Sequence, residues 1–103
     1  MTISEVSKKY DISTDTLRYY ERIGLLPPVP RTKSGLRDYD ENSCKSVEFI
    51  KCMRNAGLPI EALIEYMTLF KEGDSTAEAR MAILIEQREA LINRIEEMQS
   101  TLS

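Results

Sequence analysis

The sequence predicts a mainly α fold, and three observations carry that expectation. Two short amphipathic segments, each opened by a residue that caps helices well, lie about three residues apart near the start of the chain. A Pro- and Gly-bearing stretch from Leu25 to Asp40 then interrupts helical patterning. From Ala77 onward, apolar residues recur alternately four and three apart, the spacing of a long helix that packs along one stripe. At 103 residues the chain has the size of one domain with an appended helix.

The elements follow in order. Thr2-Ile3-Ser4-Glu5 fits a capping box, in which a hydroxyl and a glutamate three residues later satisfy each other's backbone donors; Ile3, Val6 and Tyr10 form the apolar face behind it. Asp11-Ile12 breaks the pattern, Ser13 caps a second helix with Asp15 in its first turn, and Gly24 ends it. Two short helices so joined form a helix-turn-helix candidate. Pro27, Pro28, Pro30 and Gly35 exclude helix from the next segment, and Arg31-Thr32-Lys33-Ser34-Gly35-Leu36-Arg37 reads as a basic hairpin turning at Ser34-Gly35. A third helix starts near Asp40–Asn42 and ends at Gly57, burying Val47, Ile50 and Met53 with Phe49 beside them. The fourth runs from about Ile60 to Phe70, with Ile60, Leu63, Ile64, Met67 and Phe70 on one face. Gly73-Asp74 stops it, and Ser75-Thr76-Ala77-Glu78 reads as a second capping box. The last helix carries the seam Ala77, Met81, Leu84, Arg88, Leu91, Ile95, Met98 and Leu102, interrupted once by Arg88. That stripe must dock on its own domain, on a second copy, or on both, and an intermolecular coiled coil is the preferred reading. The expected division is therefore 1–72 for the winged helix-turn-helix with its linker helices and 75–103 for the dimerisation helix.

Composition narrows function. No charged-then-apolar leader opens the chain and no apolar run approaches ~18 residues, so a cytoplasmic protein without membrane contact is expected. Two cysteines make no disulfide scaffold, and with no histidine the chain lacks histidine-based triads and the commonest zinc ligands; no metal or cofactor is expected. No set of acid, base and nucleophile converges, so an enzyme is not expected.

Fourteen Lys and Arg against seventeen Asp and Glu give a net charge of -3, which by itself speaks against nucleic acid. The total averages unlike halves. Residues 1–54 hold ten basic and eight acidic residues, a balance of +2, whereas 55–103 hold four and nine, a balance of -5. The basic excess lies in Lys8, Lys9, Arg18, Arg22, Arg31, Lys33 and Arg37.

Arg18-Tyr19-Tyr20-Glu21-Arg22 is the first cluster with chemical content. Arg18 and Arg22 share one helix face with Tyr19 beside them, and arginine chelates phosphate or guanine edges while tyrosine hydroxyls reach phosphate. The bland alternative places the tyrosines in the core and pairs Arg18 with Glu21 on the surface; Tyr20 fits both. Arg31, Lys33 and Arg37 on the hairpin form the second cluster, suited to lie beside a phosphate backbone as a wing.

Thr16 to Glu21, Gly24-Leu25-Leu26, Arg31 to Tyr39 and Phe49 to Arg54, in this order and spacing, closely resemble the MerR family of bacterial regulators. The resemblance covers essentially the whole chain. It implies a winged-helix reading head and a homodimer held by a long antiparallel coiled coil, here through Met81, Leu84, Arg88, Leu91, Ile95, Met98 and Leu102. It implies DNA contacts from Thr14, Thr16, Arg18, Tyr19 and Tyr20, from wing residues Arg31, Lys33 and Arg37, and from Arg54 at the end of the third helix. In this family the dimer binds a palindromic operator and distorts an overlong promoter spacer so that RNA polymerase engages both promoter elements. Two positions depart from the pattern. Leu36 stands where tyrosine is common, removing a hydroxyl–phosphate contact. Asp15 stands where some relatives place lysine, and it either accepts from cytosine N4 or serves as N-terminal helix charge.

Sensing in the family often uses cysteines beyond the coiled coil, and this chain has none after Cys52. Phe49 to Gly57 resembles the branch that responds to aldehydes or nitrosative stress through one cysteine in this helix, which makes Cys52 the expected sensor and a small electrophile its ligand. Lys45, Lys51 and Arg54 favour a thiolate there and Glu48 opposes it. Cys44 is expected in the core. Eight residues of helix separate the two sulfurs by ~12 Å, too far for an intrahelical disulfide. The alternatives are a constitutive or antagonist binder on the same scaffold, and a helical protein–protein adaptor working through the acidic later helices.

Overall fold

The computed structural model covers residues 1–103. It contains five α-helices: α1 (Ile3–Tyr10), α2 (Thr14–Arg22), α3 (Glu41–Asn55), α4 (Ile60–Lys71) and α5 (Ala77–Leu102), with one 3-10 turn at Asp74–Thr76. No helix is long and apolar enough to cross a membrane.

Local chemistry accounts for the boundaries. Thr2 Oγ1 accepts from the Glu5 N–H at 3.2 Å while Glu5 accepts from the Thr2 N–H at 2.8 Å, the expected capping box. Those bonds hold the Glu5 carboxyl below its ordinary pKa. Asp11 closes α1 in a left-handed conformation at φ 54°, a geometry short polar side chains tolerate. Ser13 then accepts from the Thr16 N–H at 3.1 Å and opens α2. Asp40 accepts from the Ser43 N–H at 2.8 Å and opens α3, and this bond keeps Asp40 ionised below its usual range.

The core gathers residues from the first four helices and their connections and none from α5: Val6 of α1, Leu17 of α2, Leu25, Leu26, Val29 and Tyr39 of the connecting segment, Val47 and Ile50 of α3, and Leu58, Leu63 and Met67 around α4. At about 25 cal/mol per Å2 of apolar surface removed from water, this cluster is the main stabiliser of so small a unit. Leu17 is fully buried, which fixes the face that α2 keeps inward and leaves Arg18, Tyr19 and Arg22 outward.

Several expectations need refinement or correction. The hairpin turns over Lys33-Ser34-Gly35, so both expected residues lie in its loop and Lys33 joins them. The Gly35 N–H donates to the Thr32 carbonyl at 2.9 Å, so Lys33 and Ser34 are the central turn residues. Gly35 follows at φ 88° and returns the chain so that Arg31 bridges Arg37. This is a three-residue hairpin, in which the residue after the turn takes the left-handed conformation. Met53 is only partly buried, and Phe70 is 53% exposed because α4 outruns the core there. Its ring is covered instead by the Arg80 guanidinium, 5.2 Å from the centroid.

The second capping box does not form either. Thr76 is the N-cap of α5 but makes no cap hydrogen bond. Its buried hydroxyl lies 2.7 Å from the carbonyl oxygens of Leu69 and Gly73, tying the α4–α5 turn to the end of α4. The hydroxyl is engaged by these two carbonyls, which also accept the Glu72 and Thr76 N–H groups, and so is withdrawn from capping the helix it precedes.

The seam of α5 is divided between two tasks. Met81, Ile95, Met98 and Leu102 stand exposed at 46–88%. Leu84 and Leu91 are half-buried, on the helix that packs back along α4. Ile85 and Ile92, outside the expected seam, are exposed at 43% and 41% and widen the free stripe. A helix that docks on its own domain with one edge keeps only the adjoining edge free.

Candidate nucleic-acid interface

α2 and the hairpin form one surface because Glu21 joins them. The Glu21 side chain is 12% exposed, and its Oε1 accepts from Arg37 Nε at 2.7 Å and pairs with Arg31 at 3.6 Å. Its Oε2 accepts from the Val29 N–H at 2.9 Å. Burial alone would raise the Glu21 pKa, but the bonds from Arg37 and Val29 and the charges of Arg37 and Arg31 outweigh it and hold the carboxyl below 4.5. A carboxylate on the last turn of the second helix therefore clamps both strands of the hairpin and the segment leading into it. Tyr39 lies behind the clamp. Its ring is buried, its hydroxyl has no hydrogen-bond partner, and burial pushes its pKa up.

Around this clamp the expected contact residues take different roles. Arg18 is exposed and rests on Asp15 at 3.2 Å and on Thr14 Oγ1 at 3.4 Å. Thr16 Oγ1 accepts from the Ser13 hydroxyl at 2.8 Å. Tyr19 is 41% exposed, and the Arg22 guanidinium stacks 5.3 Å from its ring centroid. Asp15, Thr16, Arg18, Tyr19 and Arg22 together line a shallow hollow on the outer face of α2. Tyr20 faces inward and packs against the core. Lys33 stands exposed at the hairpin tip and Leu36 near it is 69% exposed.

The expected Arg18–Glu21 surface pair is absent: Arg18 pairs with Asp15 and Glu21 with the hairpin. Arg37 is largely enclosed, its side chain 22% exposed and committed to Glu21. Arg31 is looser and more open, with 45% of its side chain exposed. The exposed cations of this surface are thus Arg18, Arg22, Arg31 and Lys33, with Arg37 as the strut beneath. Arg54 lies on α3, where it donates to the Leu58 carbonyl at 2.6 Å. Glu21 belongs to the Arg-Tyr-Tyr-Glu-Arg cluster already singled out, but its partners sit 10 and 16 residues further along, beyond any helical spacing.

Cys52 is exposed on the penultimate turn of α3, and Cys44 is half-buried against the core; both thiols are free. The cations around Cys52 each have a partner of their own. Lys45 pairs with Glu41, Lys51 Nζ donates to the Tyr10 carbonyl, and Arg54 donates to Leu58. No group of three or more His, Cys, Asp or Glu side chains is arranged to hold a metal ion.

Comparison with known proteins bears on the whole arrangement. The family model for MerR HTH family regulatory proteins matches residues 1–69, and the model for MerR DNA-binding segments matches residues 45–103. The chain is 63% identical over 92 residues to the HTH-type transcriptional regulator AdhR of Bacillus subtilis, a match covering 89% of this chain and 66% of AdhR. It therefore spans about two thirds of that relative's length. A MerR family transcriptional regulator from Listeria monocytogenes superposes with a TM-score of 0.94 at 50% identity, over 99% of this chain and 77% of that one. HiNmlR, a MerR family regulator lacking the sensor domain and solved bound to promoter DNA, superposes with a TM-score of 0.87 at 28% identity, over 98% and 80% of the two chains. With the outward face of α2, the clamped hairpin and the long final helix all in place, the chain belongs to the MerR family of helix-turn-helix transcriptional regulators, a family of DNA-binding proteins rather than enzymes.

Proposed function

We propose that this protein is a homodimeric, sequence-specific regulator that binds a palindromic promoter operator in the cytoplasm and changes its activity when Cys52 is modified by a reactive aldehyde or a related electrophile. The observation that carries the DNA-binding part is the joint surface of α2 and the hairpin, held by Glu21, which aligns Arg18, Tyr19 and Arg22 with Arg31 and Lys33. In this reading α2 enters the major groove, where Arg18 reads a base edge, and Lys33 at the hairpin tip lies against the backbone. Thr14 and Thr16 contribute hydroxyls to phosphate from the first turn of the same helix, and Arg54 adds a further backbone contact. Residues 1–72 act as the reading head and 75–103 as the dimerisation helix.

Dimerisation runs through the free edge of α5. That helix of 26 residues is about 39 Å long. Met81, Ile95, Met98 and Leu102, joined by Ile85 and Ile92, present the apolar stripe to a second copy, with Arg88 near the middle of the helix fixing register. Leu84 and Leu91 line the inner edge of the same stripe. The dimer distorts the promoter so that RNA polymerase engages it.

Support for sensing comes from the resemblance of Phe49 to Gly57 to the aldehyde-responsive branch, together with the exposure of Cys52. The step needs no co-reactant. The thiolate sulfur bonds to the aldehyde carbon, the carbonyl π pair moves to oxygen, and that oxygen takes up the proton the thiol released, giving a hemithioacetal. A promoter fusion assayed with and without aldehyde tests the reading. Cys52→Ala is expected to bind DNA as the parent does and to lose induction. Undiminished induction in that variant overturns the sensing role of Cys52, whereas a parent promoter fusion that does not respond to aldehyde favours the constitutive binder.

A further inference from the structure

Two heads can read a palindrome only if the dimerisation helix holds each at a fixed angle, so the joint between α5 and its own head has functional weight. α5 packs back along α4, and its Arg94 reaches across to Ala56, the residue that caps the end of α3. There Arg94 NH2 donates to the Ala56 carbonyl at 3.4 Å. The same guanidinium covers Gly57, which adopts φ 90°; a Cβ at that position would lie 2.7 Å from Arg94 NH1. Gly57 is thus both the left-handed residue that ends α3 and the flat seat on which the guanidinium rests.

The seat is itself anchored to the reading head. Lys51, on the same stretch of α3, donates through Nζ to the Tyr10 carbonyl, the last residue of α1 before the turn into α2. Arg54 crosses the end of α3 to the Leu58 carbonyl and stiffens the link into α4. A continuous path therefore runs from α5 through Arg94, Ala56 and Gly57, along the end of α3, through Lys51 to the helix-turn-helix. Arg94 is followed at once by Ile95, a residue of the free apolar stripe. The contact lies where α5 is bound to its own domain, beside the stripe assigned above to dimerisation.

We propose that Arg94 is a positioning residue that sets the angle of the reading head on the dimerisation helix, and so determines which half-site spacing the dimer accepts. This rests on the dimeric DNA-binding reading above. Its side chain is exposed and removes no core contact when shortened. The loss it causes should appear in spacing discrimination rather than in folding.

The test uses the full chain and a palindromic duplex recovered by selection from a random pool, rebuilt with the two half-sites moved one and two base pairs closer and further apart. The parent protein is expected to show a narrow optimum. Arg94→Ala should bind the optimal duplex about tenfold more weakly, because a loosened joint lowers the effective concentration of the second head. Its affinities across the spacing series should converge, while binding to an isolated half-site stays within roughly twofold of the parent. Arg94→Lys, which retains a donor for the Ala56 carbonyl, should recover a narrower profile than alanine. A uniform loss across all spacings, restored by lysine and steepened at low salt, would make Arg94 a simple phosphate contact and overturn the proposal. An unchanged profile in Arg94→Ala would overturn it as well. Binding of single protomers by the parent would instead remove the dimeric reading itself, and the proposal with it.

Discussion

Arg37 donates through Nε to Glu21 Oε1 at 2.7 Å, joining the second helix of the helix-turn-helix to the far strand of the hairpin. The bond is the shortest of the contacts that Glu21 makes to three partners in the hairpin and its approach. Removing the charge while keeping the shape tests it. Glu21→Gln should cost about 1–3 kcal/mol of stability, the usual loss when a partly buried charged acceptor is taken from its donors. Amide exchange should rise selectively over residues 31–37, with α3 and α4 unaffected.

The same carboxylate gives a pH dependence with a definite sign. Its folded pKa lies below the ordinary value of 4.5, so it adds stability above that value and loses the contribution as pH falls through the folded pKa. Thermal melts of the parent should therefore decline below about pH 4.5, and Glu21→Gln should decline less steeply over that interval. Equal slopes in the two proteins would place the acid sensitivity elsewhere, for instance at the helix-capping carboxylates Glu5 and Asp40.

Arg18 and Lys33 should separate base reading from phosphate contact. Arg18→Ala is expected to weaken operator binding by ~1–3 kcal/mol and to relax preference at one base pair in each half-site. Lys33→Ala should weaken binding to all sequences alike and reduce the salt slope by about one ion per protomer. Competition titrations at several salt concentrations measure both effects.

Ile95→Glu places a charge in the free stripe of α5 without touching the core, since Ile95 is 46% exposed in the protomer. Sedimentation should show monomer, and operator affinity should fall on the order of 100-fold as the second head is no longer tethered. The helical content should persist, because the monomer keeps the α4 contacts.

How far the sequence revealed this molecule depended on the range of the interactions concerned. The starts of α1, α2 and α3 are set by side chains three residues from the amides they cap, so Thr2, Ser13 and Asp40 were readable from local chemistry. Ser75 to Glu78 carried the same signature and misled, because Thr76 found carbonyls at the end of α4 that no local pattern displays. The cationic character of α2 and the hairpin was legible from charge and spacing. That Arg37 is a strut and Arg31 the freer residue was not, since both depend on Glu21 across a tertiary gap. The long helix of α5 was legible from its apolar spacing, but which edge faces the chain's own α4 depends on the angle of the α4–α5 turn. Arg94 drew no notice in the sequence for the same reason: its seat on Gly57 exists only once the two helices have folded back on each other.

The most direct test of a dimeric operator-binding head is selection of bound duplexes from a random pool, followed by measurement of protomers per duplex. Enrichment of a palindrome, two protomers on each duplex and loss of that sequence preference in Arg18→Ala are the expected results. An unenriched pool, or one protomer bound to a site without two-fold symmetry, would contradict the assignment of α2, the clamped hairpin and the α5 stripe to a single DNA-reading dimer.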